Sequence, residues 1–186
     1  MEIVDDIIDL VHKIRRLKVK IIGVDGALQS GKTTFVSPAL KIALHAKHIV
    51  HLDHYLTPHA GSFLHSLHKK QLKSDILKIA QENDHVIIEG LMLLNVFKAL
   101  SIPHDMLIYS CDSLWYNQWE EYHRERSPLE RILHTEEVMT NKIEKAIHPR
   151  WRYMHFNRLT RELYTYTHEY KPYIHADFIF LIDKYF

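Results

Sequence analysis

The stretch VKIIGVDGALQSGKTTFV, residues 19–36, restricts this chain more than any other. A β-branched run meets the loop Gly26-Ala27-Leu28-Gln29-Ser30-Gly31-Lys32-Thr33, and a helical pattern follows. Glycines at this spacing let the backbone curl around a phosphate and present its N–H groups. Lys32 then reaches the β- and γ-phosphates, the Thr33 hydroxyl meets Mg²⁺, and Thr34 offers a further donor. The opening helix adds the positive end of its dipole. Only five glycines occur in the whole chain, and Gly23, Gly26 and Gly31 lie in or beside this loop.

A strand feeding such a loop belongs to an α/β fold. Five apolar runs read as buried strands: 19–25, 48–53, 85–90, 105–111 and 177–183. Helical patterns separate them at 32–46, 63–82 and 91–100, and over much of 113–171. Such alternation predicts right-handed crossovers and a parallel sheet covered on both faces. Residues 2–17 carry Ile3, Ile7, Leu10, Val11, Ile14 and Leu17 at helical spacing, which predicts an amphipathic helix packed on the sheet. Pro38 falls beyond the first turn of the helix that Lys32 opens, so a kink or a broken first segment is expected there. With no repeat, low-complexity stretch or linker, residues 1–186 read as one domain.

Composition narrows the partners. The formal net charge of +1 gives no broad field to attract nucleic acid or a membrane surface. The lone Cys111 excludes an intrachain disulfide and suits a reducing compartment. No apolar run approaches the ~20 residues that span a bilayer, and the acidic N-terminal stretch is unlike a targeting peptide. A cytoplasmic protein is expected, with self-association into a homo-oligomer left open.

Ligands of open α/β sheets bind beyond the carboxyl ends of the strands. Acids close several expected strands there, Asp25, Asp53 and Glu89 among them. Asp53 and Glu89 are placed to share a crevice with Lys32. One carboxylate in that crevice can hold Mg²⁺ or its water shell, and another can take the proton of an attacking hydroxyl. Gly90, behind Glu89, permits a close approach.

The segments GVDGALQSGKTT, HLDHYLTP, VIIEGLMLLN and HADFIFLID resemble the uridine kinase/phosphoribulokinase group of P-loop kinases. The likeness runs over about residues 19–112 and more weakly over 176–183. It implies a P-loop NTPase fold with a five-stranded parallel sheet, and transfer of the γ-phosphoryl of ATP or another NTP, with Mg²⁺, to a small-molecule hydroxyl. A nucleoside is the leading acceptor by this likeness. Asp53 becomes the catalytic base and a Mg²⁺ neighbour, and Glu89 a Walker-B-type carboxylate near Mg²⁺. Lys32 and Thr33 become the phosphate and metal residues.

An arginine-bearing lid is implied near 122–131, which makes Arg124 and Arg126 candidates for stabilising the transferring group. A charged helix face, with Glu120, Glu121, Glu125 and Glu130 as partners, explains the same residues. His45, His48, His51 and His54 run from a helix end into a strand and do not share one face, so their spacing does not read as a metal site. His54 and Tyr55, beside Asp53, are candidates for binding the acceptor. The aromatics after Trp151, Tyr166 and Tyr170 among them, read as core and helix packing. A second function class is a regulatory nucleotide-binding protein with little or no turnover. The Asn-Lys-x-Asp motif of a GTPase is absent from the sequence.

Overall fold

A computed structural model of the protein describes residues 2–26, 30–57, 61–112 and 158–182. Six strands form one sheet: β1 (Glu2–Val4), β2 (Ile21–Gly26), β3 (Ile49–His51), β4 (Val86–Glu89), β5 (Met106–Asp112) and β6 (Phe178–Ile182). Their order is β1-β6-β5-β2-β4-β3, and every pairing is parallel. The helices are α1 (Ile7–Arg15), α2 (Ser37–Ala43), α3 (Phe63–Ser66), α4 (Lys69–Glu82), α5 (Leu93–Leu100), α6 (Arg158–Glu169) and α7 (Pro172–His175). Among the described residues no helix is long and apolar enough to cross a membrane.

Side chains alternate across the strands and divide the core into two layers. Ile22, Val24, Ile87, Met106, Ile108, Phe178 and Phe180 face Leu10 and Ile14 of α1 and Leu40 of α2. Ile21, Val86, Ile88, Leu107, Tyr109 and Ile179 face Leu72 and Ile76 of α4, Val96 and Phe97 of α5, and Tyr166. Gly23 makes room on this second face, since a Cβ there would lie 2.9 Å from the Phe97 ring. Both faces are therefore covered, as a buried parallel sheet requires.

The sheet has six strands, where five were expected. Glu2–Val4, expected as the first turn of a helix over 2–17, instead pairs with β6 at the sheet edge. The reason is local: Asp6 caps α1 by accepting from the Ile8 N–H at 2.7 Å. Upstream of that cap, β-branched Ile3 and Val4 are free to extend. The helix expected at 63–82 is likewise divided, because Leu67 bridges Leu56 in antiparallel fashion between α3 and α4. After the phosphate loop, Lys32–Val36 forms one π-helical turn before α2 begins at Ser37. Pro38 thus occupies the first turn of an α-helix, where its missing N–H costs nothing. Within the helical expectation over 113–171, α6 is described, and residues 113–157 lie outside the described residues.

The chain passes from β2 outward to β3, back to β4, then across β2 to β5. The carboxyl end of β2 is therefore the topological switch point, where a crevice opens between diverging crossovers. The loop expected to bind phosphate leaves from that point.

Candidate active site

Gly26, the last residue of β2, has φ 148°, and a Cβ on it would sit 2.0 Å from the Ser110 carbonyl oxygen of β5. Only glycine lets the chain turn here while pressed against the neighbouring strand. Gly26→Ala is expected to cost about 3 kcal/mol or more, combining backbone strain with a clash against main chain. The midpoint of urea unfolding should fall with an unchanged slope. A midpoint equal to that of the wild type would refute this tight seat.

From Gly26 the loop runs through Ala27, Leu28 and Gln29, which lie outside the described residues, to Ser30 and Gly31. Gly31 is left-handed, with φ 68°, and its carbonyl accepts from the Phe35 N–H at 2.8 Å. The Ser110 hydroxyl donates to the Ser30 carbonyl, which pins the far side of the loop to β5. The Lys32 ammonium is buried and donates to the Gly26 carbonyl and the Ser30 hydroxyl, both at 3.2 Å. Burial lowers its pKa, while the charges of Asp25, Glu89 and Asp53 pull it back up. Thr33 and Thr34 follow on the π-helical turn.

Glu89, at the end of β4, faces this turn. Its Oε1 accepts from the Thr33 hydroxyl at 3.0 Å, and its Oε2 accepts from the Ser37 hydroxyl at 3.1 Å. The His51 Nδ1 lies 2.7 Å from Oε1. His51 and Glu89 are register partners on adjacent parallel strands, which places both at the same crevice edge. A hydroxyl beside a buried carboxylate is a hard-oxygen pair. Such a pair fits Mg²⁺, which keeps several waters and takes its remaining ligands from phosphate. Among the described residues no group of three His, Cys, Asp or Glu converges in a cage.

Asp53 does not close a strand. It sits exposed on a 3₁₀ turn, Leu52–Tyr55, that follows β3. The turn is anchored by Leu52, which is buried against Gly90. A Cβ on Gly90 would meet three Leu52 carbons at 2.6–2.7 Å. The close approach that Gly90 permits is therefore made by Leu52, and it seats the turn that carries Asp53. The charge of Asp53 still reaches Lys32.

His54 is exposed on the same turn, its ring 5.2 Å from that of His51. The turn thus brings together two histidines whose spacing suggested they would diverge. The Tyr55 hydroxyl donates to Asp75 of α4 at 3.0 Å, and burial with that carboxylate pushes its pKa up to about 12. This bond helps hold the turn on α4. Arg124 and Arg126 lie outside the described residues.

The least expected group is Asp25. It is fully buried at the end of β2, and its Oδ1 accepts from the Gly26 N–H at 2.8 Å. Its Oδ2 accepts from the Leu93 N–H at 3.1 Å and from the Tyr166 hydroxyl. Burial raises its pKa from the ordinary 3.8 to about 6, against the pull of these donors and of Lys32. Burial and the Asp25 charge push Tyr166 upward in turn, and both also raise Tyr109 nearby.

The folded chain therefore holds the Asp25 proton to a higher pH than the unfolded chain does. Its contribution to stability falls as pH climbs from about 4 to about 6, then levels off. A rise from 3.8 to about 6 corresponds to a loss on the order of 3 kcal/mol. The unfolding free energy of the wild type minus that of Asp25→Asn should shrink by this amount over the window. A flat difference would refute the assignment.

A cavity of about 510 Å³ adjoins this cluster, lined by Ser62, Leu64, Asn95, Arg161, Thr165, Tyr166 and Tyr170, with Met92, Arg158 and Glu162 completing it. The Tyr166 and Tyr170 rings stack at 5.6 Å. Glu162 joins α6 to α3 by accepting from the Phe63 N–H at 2.7 Å, and within α6 it accepts from Arg158 at 3.0 Å. The Asn95 Oδ1 is buried without a hydrogen-bond donor among the described residues.

No protein-family model and no curated protein sequence matches the chain. A solved structure described as a possible uridine kinase from Bacillus stearothermophilus superposes with a TM-score of 0.53 at 15% identity. The match covers 94% of this chain and 96% of that one. The two chains share one fold. It is a parallel α/β sheet flanked by helices.

Sequence reasoning did not place Ser37, His51 or Tyr166 beside these acids. Ser37 lies four residues after Thr33, so helical spacing alone puts both hydroxyls on one face. His51 needed the strand register. Tyr166 lies 141 residues from Asp25 and carries no local signal of that contact.

Proposed function

We propose that this protein is a P-loop kinase that transfers the γ-phosphoryl group of ATP, or of another NTP, to a hydroxyl of a small molecule. One observation carries the reading. The Thr33 hydroxyl behind the phosphate loop is hydrogen-bonded to the Glu89 carboxylate at the neighbouring strand end, with the Lys32 ammonium buried beside them. Mg²⁺, held by Thr33 with Glu89 near its water shell, would draw charge from the β- and γ-oxygens. Lys32 neutralises the charge that builds on the phosphoryl oxygens. Asp53 accepts the proton of the attacking hydroxyl as its oxygen bonds to the γ-phosphorus. The bond to the bridging oxygen breaks, and the nucleoside diphosphate leaves. Arg124 and Arg126 are proposed to supply further positive charge to that group.

A nucleoside is the acceptor class we favour, seated in the cavity walled by α6. The half-buried Tyr170 ring on its wall, backed by Tyr166, suits a planar base. His54, exposed beside Asp53, is proposed to meet the acceptor near its hydroxyl.

The test is a nucleotide-consumption screen with Mg²⁺ over nucleosides, other ribosides, pantothenate and sugar phosphates. Acceptor-dependent ADP release, with phosphate recovered on the acceptor, is expected for one class. Tight ATP binding with no turnover on any acceptor would favour a regulatory nucleotide-binding protein instead.

A further inference from the structure

A carboxylate buried at the root of a phosphate loop is a costly feature, because burial disfavours the charged form and the charge opposes that of the ligand. Asp25 is nonetheless fully enclosed and meets donors from three separate parts of the chain: Gly26, Leu93 and Tyr166. The bonds form a continuous series. The Tyr166 hydroxyl donates to Asp25, and itself accepts from the Leu94 N–H at 3.3 Å. Asp25 accepts the Gly26 N–H at 2.8 Å, and the Gly26 carbonyl accepts from Lys32 at 3.2 Å.

Gly26 is thus held through both its N–H and its carbonyl, and Ser110 presses where a side chain would be. It has little freedom to reorient while these bonds stand. Tyr166 also lines the cavity, so one residue borders that space and reaches the loop's root with its hydroxyl.

We propose that Tyr166 is a positioning residue for the phosphate loop. Through Asp25 it fixes the Gly26 backbone against which the Lys32 ammonium rests, and so it ties nucleotide binding to the helix that walls the cavity. This deepens the kinase reading and rests on the loop's binding a nucleotide. Removing the hydroxyl leaves Asp25 with one donor fewer, so the carboxylate that holds the Gly26 N–H is itself less firmly seated. The Gly26 carbonyl, on which Lys32 rests, is then less well fixed before any phosphate arrives.

The experiment is calorimetric titration of the full chain with ADP and Mg²⁺, at a temperature where circular dichroism shows wild type and Tyr166→Phe equally folded. The variant should bind ADP roughly tenfold more weakly, the scale of one hydrogen bond to a charged group felt at one remove. A purely structural strut would lower the melting temperature and leave the affinity of the folded protein unchanged, which would overturn the proposal.

Hydrogen exchange on the wild type gives a reading that needs no variant to fold. ADP should slow exchange at the Leu93 and Leu94 amides, which are bonded to Asp25 and Tyr166. Protection confined to residues 30–37 would overturn the coupling. A wild type that binds no ADP at all would instead overturn the phosphate-loop reading itself.

Discussion

Asp53→Asn is expected to lower acceptor-dependent turnover by about 10²–10⁴-fold, the usual worth of a positioned general base. The amide keeps the size and shape of the carboxylate, but it cannot take up the proton of the attacking hydroxyl. Asp53 is exposed, so its loss leaves no buried group unpaired and the fold should be unaffected. Its position comes from Leu52, buried under Gly90, and from Tyr55, bonded to Asp75. Those anchors survive the substitution. ADP binding should therefore be unchanged while kcat collapses, a split that separates catalysis from nucleotide affinity. Steady-state kinetics on the acceptor found by screening, together with calorimetry, checks both halves. Unchanged kcat would remove Asp53 from the mechanism and turn attention to His54 on the same turn.

Lys32→Ala is expected to fail differently. It should cost about 10²–10³-fold in turnover, comparable to deleting a preorganised charge-stabilising donor, and should weaken nucleotide binding as well. The ammonium is buried among Asp25, Glu89 and Asp53, whose charges oppose the burial that lowers its pKa. Without it, the β- and γ-phosphates would face those acids with less compensation. Arg in its place keeps the charge, but its planar fork does not reproduce a compact ammonium resting on the Gly26 carbonyl. Lys32→Arg should therefore rescue little. Equal turnover for Lys32→Ala and wild type would refute phosphate binding by this loop.

The two variants probe features that were unequally legible in the sequence. The loop was readable because its chemistry is local: glycines, lysine and threonine act within one turn of chain. The other five strands were readable because they lie in runs that are largely apolar, as strands of a covered parallel sheet are. The short strand Glu2–Val4 was not, because Ile3 and Val4 fit a helical stripe equally well. Only pairing with Phe178–Phe180 selects the extended form. Tyr55 is a similar case. Its place beside Asp53 suggested acceptor binding, and its hydroxyl is bonded to Asp75, twenty residues further on.

By itself the sequence determined the alternation of strands and helices, the glycine-lysine-threonine loop after the first buried strand, and the acids Asp25 and Glu89 at strand ends. Each of these is written in residues that are neighbours along the chain. The tertiary structure decided what each acid touches. Glu89 meets Thr33 and Ser37 because β4 lies beside β2, and it meets His51 because β3 is in register with it. Asp53 stays at the crevice edge because Leu52 packs on Gly90. Asp25 became the buried root of the loop because Tyr166 reaches it from the far end of the chain. Burial, register and long-range hydrogen bonds depend on which elements become neighbours, and no local pattern encodes that.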